Sequence, residues 1–258
     1  RDDSYNSYLD SLNPFVAKFV SASAKEFDNK KDNLVVSPSS LYFALAMAGE
    51  AANGNTRDEI FNALNTTEEA TSKNIGYLLD SFNQTFYNNG FLNEHEVGGI
   101  NTSNSIWIDK NIDVNQSTLR KLNNNYYSDV FKSDFSKINR VNDYISNYIK
   151  KETNGMINKN YDLNPESIFV ILSTLYAKDN WNLFGRPLES SEIADSFIDR
   201  ENNRQITNFY KDEDYRMGSP YIGNGFKVAR IHTDNSICIN FFVPDEGHDV
   251  LDIFTNDN

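Results

Sequence analysis

In the first half of the chain apolar residues recur at helical spacing. Asn13-Pro14 reads as an N-cap followed by proline at the first helical position, and Phe15, Phe19, Ala22 and Phe27 continue the stripe, predicting a first helix. Ser37-Pro38 repeats that start signal. Leu41, Ala44, Leu45, Ala48 and Ala52 then follow at i, i+3, i+4, i+7 and i+11 before Asn53-Gly54 ends the run, so a buried second helix with a small-residue face is expected. Thr56, with Glu59 three residues on, predicts a capping box that opens a third helix through Ile60, Phe61 and Leu64. Further helices are expected over 75–87 and from Ser117 to Tyr126. The clearest runs from Asn139 to Glu152, where Val141, Tyr144, Ile145, Tyr148 and Ile149 form one stripe and Gly155 supplies a left-handed stop.

Other segments carry strand patterns. Thr102 to Ile108 alternates and includes Trp107. Ser167 to Ala177 is a nearly unbroken apolar run, which suits the central strand of a sheet covered on both faces. Gly225–Thr233 and Ser236–Val243, separated by Asp234-Asn235, predict an antiparallel hairpin. No repeat of 20 to 50 residues and no Pro/Gly/Ser-rich linker interrupts this order, so residues 1–258 read as a single α+β domain.

Composition narrows the function. The chain has 24 Lys+Arg against 37 Asp+Glu, a formal charge of −13 whose field repels phosphate backbones and anionic lipid; neither a nucleic-acid nor a membrane partner is expected. One cysteine, Cys238, excludes an internal disulfide and any multi-cysteine metal site. Between Ile237 and Ile239 it reads as a small buried hydrophobe. The three histidines, His95, His232 and His248, accompany no G-x-S-x-G elbow, P-loop, G-x-G-x-x-G or calcium loop. Glu94-His95-Glu96 and the stretch from Asp245 to Asp249 read as solvated loops, because neither aims three ligands at one ion. No catalysis, metal or cofactor is expected. The 18 Phe and 14 Tyr fall mostly at apolar helix and strand positions, so core packing outweighs sugar stacking. Sequons stand at Asn65, Asn83, Asn101 and Asn115, as an Asn-, Ser- and Thr-rich chain generates by chance.

The stretch Asn33-Leu-Val-Val-Ser-Pro-Ser-Ser-Leu-Tyr-Phe-Ala-Leu-Ala-Met-Ala-Gly-Glu-Ala-Ala-Asn-Gly-Asn-Thr-Arg-Asp-Glu-Ile-Phe-Asn-Ala-Leu64 resembles the second and third helices of a serpin, a member of the serine protease inhibitor superfamily. Four more segments resemble serpin parts in the same order: Asn104-Ser-Ile-Trp-Ile108 the second strand of sheet A, Thr153–Ile157 the end of the helix that crosses that sheet, Ser167–Trp181 its third strand, and Gly225–Pro244 a hairpin of sheet B. The resemblance implies helices around a large mixed sheet A and a smaller antiparallel sheet B. It also implies a shutter formed by Ser37, Pro38, Ser40 and Ser173, with Trp181 in the upper part of the third strand.

The activity it implies is that of a suicide trap. A serine protease, or alternatively a cysteine protease, cleaves a reactive loop, which inserts into sheet A and carries the acylated protease with it. A non-inhibitory serpin serving as a binding or storage module is the alternative, and an extracellular, secreted setting is implied for either. The resemblance has departures. Ser173 stands where the family usually has Asn, so the hydrogen bond there is expected to be shorter or water-made. Phe-Lys-Gly-x-Trp becomes Ala177-Lys-Asp-Asn-Trp181, and Leu-Pro-Tyr becomes Ile231-His-Thr233. The sequence stops before the segments that supply the reactive bond, the hinge and the final strands. The expectation is therefore of an incomplete serpin domain, with apolar edges at 168–175 and 237–243 that a remaining C-terminal segment covers.

Overall fold

The computed structural model describes residues 3–27, 34–90, 93–179, 182–183, 186–187, 189–198, 203–211, 221–233, 235, 237–249 and 252–255. In chain order the elements are α1 (Asp3–Phe27), α2 (Pro38–Ala51), α3 (Gly54–Ala63), α4 (Glu68–Phe82), β1 (Gln84–Gly90), β2 (Asn93–Asp109), α5 (Gln116–Tyr126), β3 (Ser128–Ser133), α6 (Ile138–Glu152) and β4 (Phe169–Lys178). They continue as β5 (Asn182–Leu183), β6 (Arg186–Pro187), β7 (Glu189–Ile198), β8 (Arg204–Lys211), β9 (Tyr221–Ile222), β10 (Phe226–His232), β11 (Cys238–Pro244) and α7 (Asp252–Thr255). Two compact units result. One is formed by Arg1–Val20, Asp32–Thr85 and Gly99–Ala177, the other by Ser21–Lys31, Phe86–Gly98 and Lys178–Asn258.

In the first unit the sheet has β2 at its centre. β3 runs parallel to it in the register Asn104↔Ser128 to Asp109↔Ser133, and β1 and β4 also pair with it. β4 is antiparallel to β2, since the Asp109 amide donates to the Ile168 carbonyl at one end while the Thr174 hydroxyl reaches the Ser103 carbonyl further along. Side chains alternate across this sheet. Ile106 and Ile108 of β2, Val130 of β3 and Ile171 of β4 join the core built by α1, α2, α4 and α5 around Phe43, Met47, Leu79 and Tyr126. Trp107, Phe131, Val170 and Leu172 face the other way, against Val141, Ile145 and Ile149 of α6. The continuous apolar run of β4 is thus explained by cover on both faces. Among the described strands it pairs with β2 alone.

Several local expectations change. Helix α1 begins at Asp3, well ahead of the predicted start, and carries Pro14 in its interior. The lost i→i−4 hydrogen bond is offset by burial of Tyr5 and Tyr8, each about 3% exposed, on the same face as Phe15. Helix α2 buries Tyr42, Phe43, Ala46, Met47, Gly49 and Glu50, while the predicted Leu41–Ala52 stripe is only partly covered. The capping box at Thr56 and Glu59 does not form, since α3 starts at Gly54 and Thr56 already lies in its first turn. Asn53, at the cap, gives its Oδ1 to Arg57 instead. Helix α4 ends at Phe82, and 84–87 belong to β1.

In the second unit β7 and β8 form an antiparallel ribbon from Ala194↔Asn208 to Ile198↔Arg204. A three-stranded antiparallel sheet has the order β11-β10-β9, with Phe226 opposite Pro244 and His232 opposite Cys238. The predicted hairpin is therefore present. Cys238, expected to be buried, is exposed: Ile237 and Ile239 turn inward, and the alternation of the strand puts Cys238 with Asn240 on the outer side. Phe241, Phe242 and Val243 remain between 39% and 54% exposed, as expected of this edge.

Candidate functional site

Three of the sequence-predicted site residues meet at the start of α2. Ser37 is extended (φ −121, ψ 99), and its Oγ accepts from the Ser40 amide at 3.2 Å. Its hydroxyl donates to Ser40 Oγ at 2.9 Å. Pro38 occupies the first turn, where no intrahelical partner for an amide is needed. This cap should contribute about 1 kcal/mol. Urea denaturation of Ser37→Ala is expected to show a loss of that size with an unchanged slope, and unaltered stability would mean that the bond carries nothing.

Ser173, the fourth predicted residue, sits in β4 of the same unit. Its Oγ is buried and has no hydrogen-bond partner among the described residues, so no hydrogen bond through it joins Ser173 to the Ser37–Ser40 pair. A buried hydroxyl left unpaired costs about 1–3 kcal/mol, which marks this point of β4 as one that a further polar group would stabilise. Trp181 lies outside the described residues.

Sequence reasoning missed a second orphan. Asn104 of β2 donates through Nδ2 to the Tyr126 carbonyl at 3.0 Å, while its Oδ1 is buried without a partner. The signal was available, because Asn104 shares the inward face of β2 with Ile106 and Ile108 and is the only polar group of the three. Also missed was the anchoring of α6. Tyr148 places its phenol oxygen 2.6 Å from Ser103 Oγ and donates to Asp129 Oδ2 at 3.3 Å, tying the helix to β2 and β3. Burial raises the pKa of that phenol.

The departure at Asp179 has a function in the second unit. Its carboxylate accepts from the Thr233 hydroxyl, from the Asn235 amide at 3.1 Å and from Asn235 Nδ2 at 2.7 Å, so it clamps the turn between β10 and β11. Glycine could not make these bonds. His232 and Cys238 stand in register, yet among the described residues no carboxylate hydrogen-bonds His232, and the pair lacks the orienting group a nucleophile needs. The described residues hold no group of three metal-binding side chains, and no helix among them is long and apolar enough to cross a membrane.

The arrangement defines a class: a mixed sheet with helices behind and one helix across its front. The family model for serpins (serine protease inhibitors) matches residues 11–256, and the chain belongs to that family. No curated protein matches the sequence significantly. Among solved structures it is similar to cleaved kallistatin complexed with heparin, at 20% identity over 92% of this chain and 68% of that one, TM-score 0.76. Serpin-12 of Manduca sexta gives 21%, 95%, 66% and 0.76. Reactive-loop-cleaved human thyroxine-binding globulin gives 20%, 93%, 69% and 0.73. The chain thus spans about two thirds of these relatives, and at such identities they show the fold alone. Members of the family are generally inhibitors rather than enzymes.

Proposed function

We propose that this serpin inhibits serine proteases, its cleaved reactive loop entering the sheet beside β4. The observation that carries the reading is β4, a strand of 10 residues that among the described strands pairs with β2 alone and carries a buried Ser173 hydroxyl with no partner among the described residues. A strand laid along β4 gains about ten backbone hydrogen bonds, on the order of 10 kcal/mol at about 1 kcal/mol each. That is enough to deform a tethered active site. Ser37, Pro38, Ser40 and Ser173 would form the shutter through which the sheet opens, and Trp181 would mark the upper end of the receiving strand. Half-exposed Ile168 and Phe169, with Phe241 to Val243 on β11, supply apolar surface for a remaining C-terminal segment that completes one serpin domain. The reactive bond lies on that segment. The partner is a protease met outside the cell, and no cofactor is involved.

The similarity to thyroxine-binding globulin, solved in complex with thyroxine, favours a second reading as a non-inhibitory binding or storage serpin. Incubating the full-length protein with a panel of serine proteases separates the two. A covalent complex that survives SDS is expected for at least one protease. Cleavage of the serpin with no such complex across the panel would replace the first reading by the second.

A further inference from the structure

The chain carries a formal charge of −13, yet one surface of the first unit brings Lys132 and Arg140, neither of which forms an ion pair among the described residues, beside an aromatic floor. Between β3 and α6 lies an open groove of about 460 Å³, lined by Trp107, Phe131, Tyr144, Tyr148, Lys132 and Lys151. A smaller recess of about 210 Å³ shares Lys132 and Tyr144 with it and leads on to Lys137 and Arg140. The two adjoin at Lys132, Ser133 and Tyr144 and together make up the trough. Its larger part falls in the size range of sites that hold small organic ligands, about 300–1,000 Å³.

The aromatic end is built. Phe131 stacks on Trp107 with ring centres 4.2 Å apart, and Tyr148 meets both edge-on at 5.6 and 5.8 Å. Rings fixed in this way present a flat, rigid wall to a further ring. The charged end has a surplus. Asp134, the only carboxylate lining either part, is already bonded to Lys110 at 2.8 Å, and Lys137 reaches it only at 3.8 Å. Among the described residues Lys132 meets no carboxylate, and its ammonium donates to the Ile112 carbonyl at 3.4 Å. Arg140 forms no ion pair among the described residues. Asp129 accepts from Tyr148 at the aromatic end, so an anion is repelled there and drawn to Lys132 and Arg140.

We infer that this trough binds a small aromatic anion, an aryl carboxylate or sulfonate, with its ring against Phe131 and Tyr148 and its acidic group between Lys132 and Arg140. The inference does not depend on whether the protein inhibits a protease.

Ligand-observed NMR titration of the full-length protein with 1-naphthalenesulfonate tests it. Saturable binding is expected, weakened at least tenfold in Lys132→Ala/Arg140→Ala, where both residues are exposed and thermal melting should not change. Lys18→Ala/Arg120→Ala, which removes the same charge from α1 and α5, should leave the affinity within twofold. Tyr144→Ala, at a half-exposed position, should also weaken binding severalfold. 1-Naphthylmethylammonium should not compete. Absence of saturable binding, equal effects of the two charge pairs, or equal competition by the ammonium compound would overturn the inference.

Discussion

Raising the pH beyond 10 should unfold the helical core of this serpin steeply rather than titrate it gradually. Tyr8, Tyr42 and Tyr126 are among the tyrosines buried there. Tyr8 and Tyr42 face each other with hydroxyls 2.7 Å apart, and Tyr126 donates to Glu50 at 3.4 Å. Burial is the largest cause that raises all three above the ordinary value of 10.0. The phenol of Tyr42 adds to the rise at Tyr8, and the Glu50 carboxylate adds to it at Tyr126. Raised folded values mean that the native state keeps protons the unfolded chain gives up. Stability is therefore intact below pH 10 and falls as the pH climbs from there toward the folded values. Each phenol contributes about 1.4 kcal/mol per pH unit, so three together remove about 4 kcal/mol per unit, a large share of a typical 5–15 kcal/mol. Phenolate absorbance followed beside circular dichroism should show a late, cooperative step in which these tyrosines ionise as helicity is lost. Tyr8→Phe/Tyr42→Phe should flatten the dependence. Smooth ionisation of every tyrosine with the helices intact would refute the claim.

How much of this core could be read from the sequence depends on whether the deciding interaction is local. The start of α2 was legible because Ser37 and Pro38 act within one turn. The buried stripe Val141, Ile145 and Ile149 of α6 was legible because its period belongs to the helix itself. The hairpin of β10 and β11 was legible from two apolar runs and a polar turn. Failures came where a distant partner decides. Pro14 is a start signal taken alone, and only burial of Tyr5 and Tyr8 against other helices extends α1 past it. Thr56 and Glu59 match the capping pattern, but the chain entering from Ala52 fixes the helix start earlier, with Arg57 bonding both the Ala52 carbonyl and Asn53. Cys238 was read from its apolar neighbours, although alternation gives those neighbours the opposite face.

The candidate site divides in the same way. Its helix cap is local, since Ser37 and Ser40 bond to one another within one turn. The pairing of β4 with β2 and the polar groups of Ser173 and Asn104 that lack partners among the described residues depend on what each strand lies beside, which a single sequence does not state. Asp179 was noticed only as a departure from the family pattern. Its role appears once the turn at Asn235 is placed beside it.

Removing the ammonium of Lys121 should destabilise the protein far more than its exposure suggests. Lys121 is half exposed, but its partner Glu50, on α2, has a side chain only 1% exposed at an N···O distance of 2.7 Å. Lys121 also reaches Glu68 at 3.2 Å, and the hydrogen bond to Glu50 is the largest cause raising its pKa. Lys121→Met would leave the Glu50 carboxylate buried with the Tyr126 hydroxyl, at 3.4 Å, as its remaining donor among the described residues. An uncompensated buried charge costs about 3 kcal/mol, whereas replacing both partners with apolar side chains is often neutral or stabilising. Glu50→Leu/Lys121→Met should accordingly recover most of the loss and lie within about 1 kcal/mol of the parent. Urea denaturation of the parent, both single variants and the double variant measures the cycle. If Lys121→Met kept the parent's stability, or if the double variant were as weak as that single one, the ion pair would not be what holds α2 and α5 together.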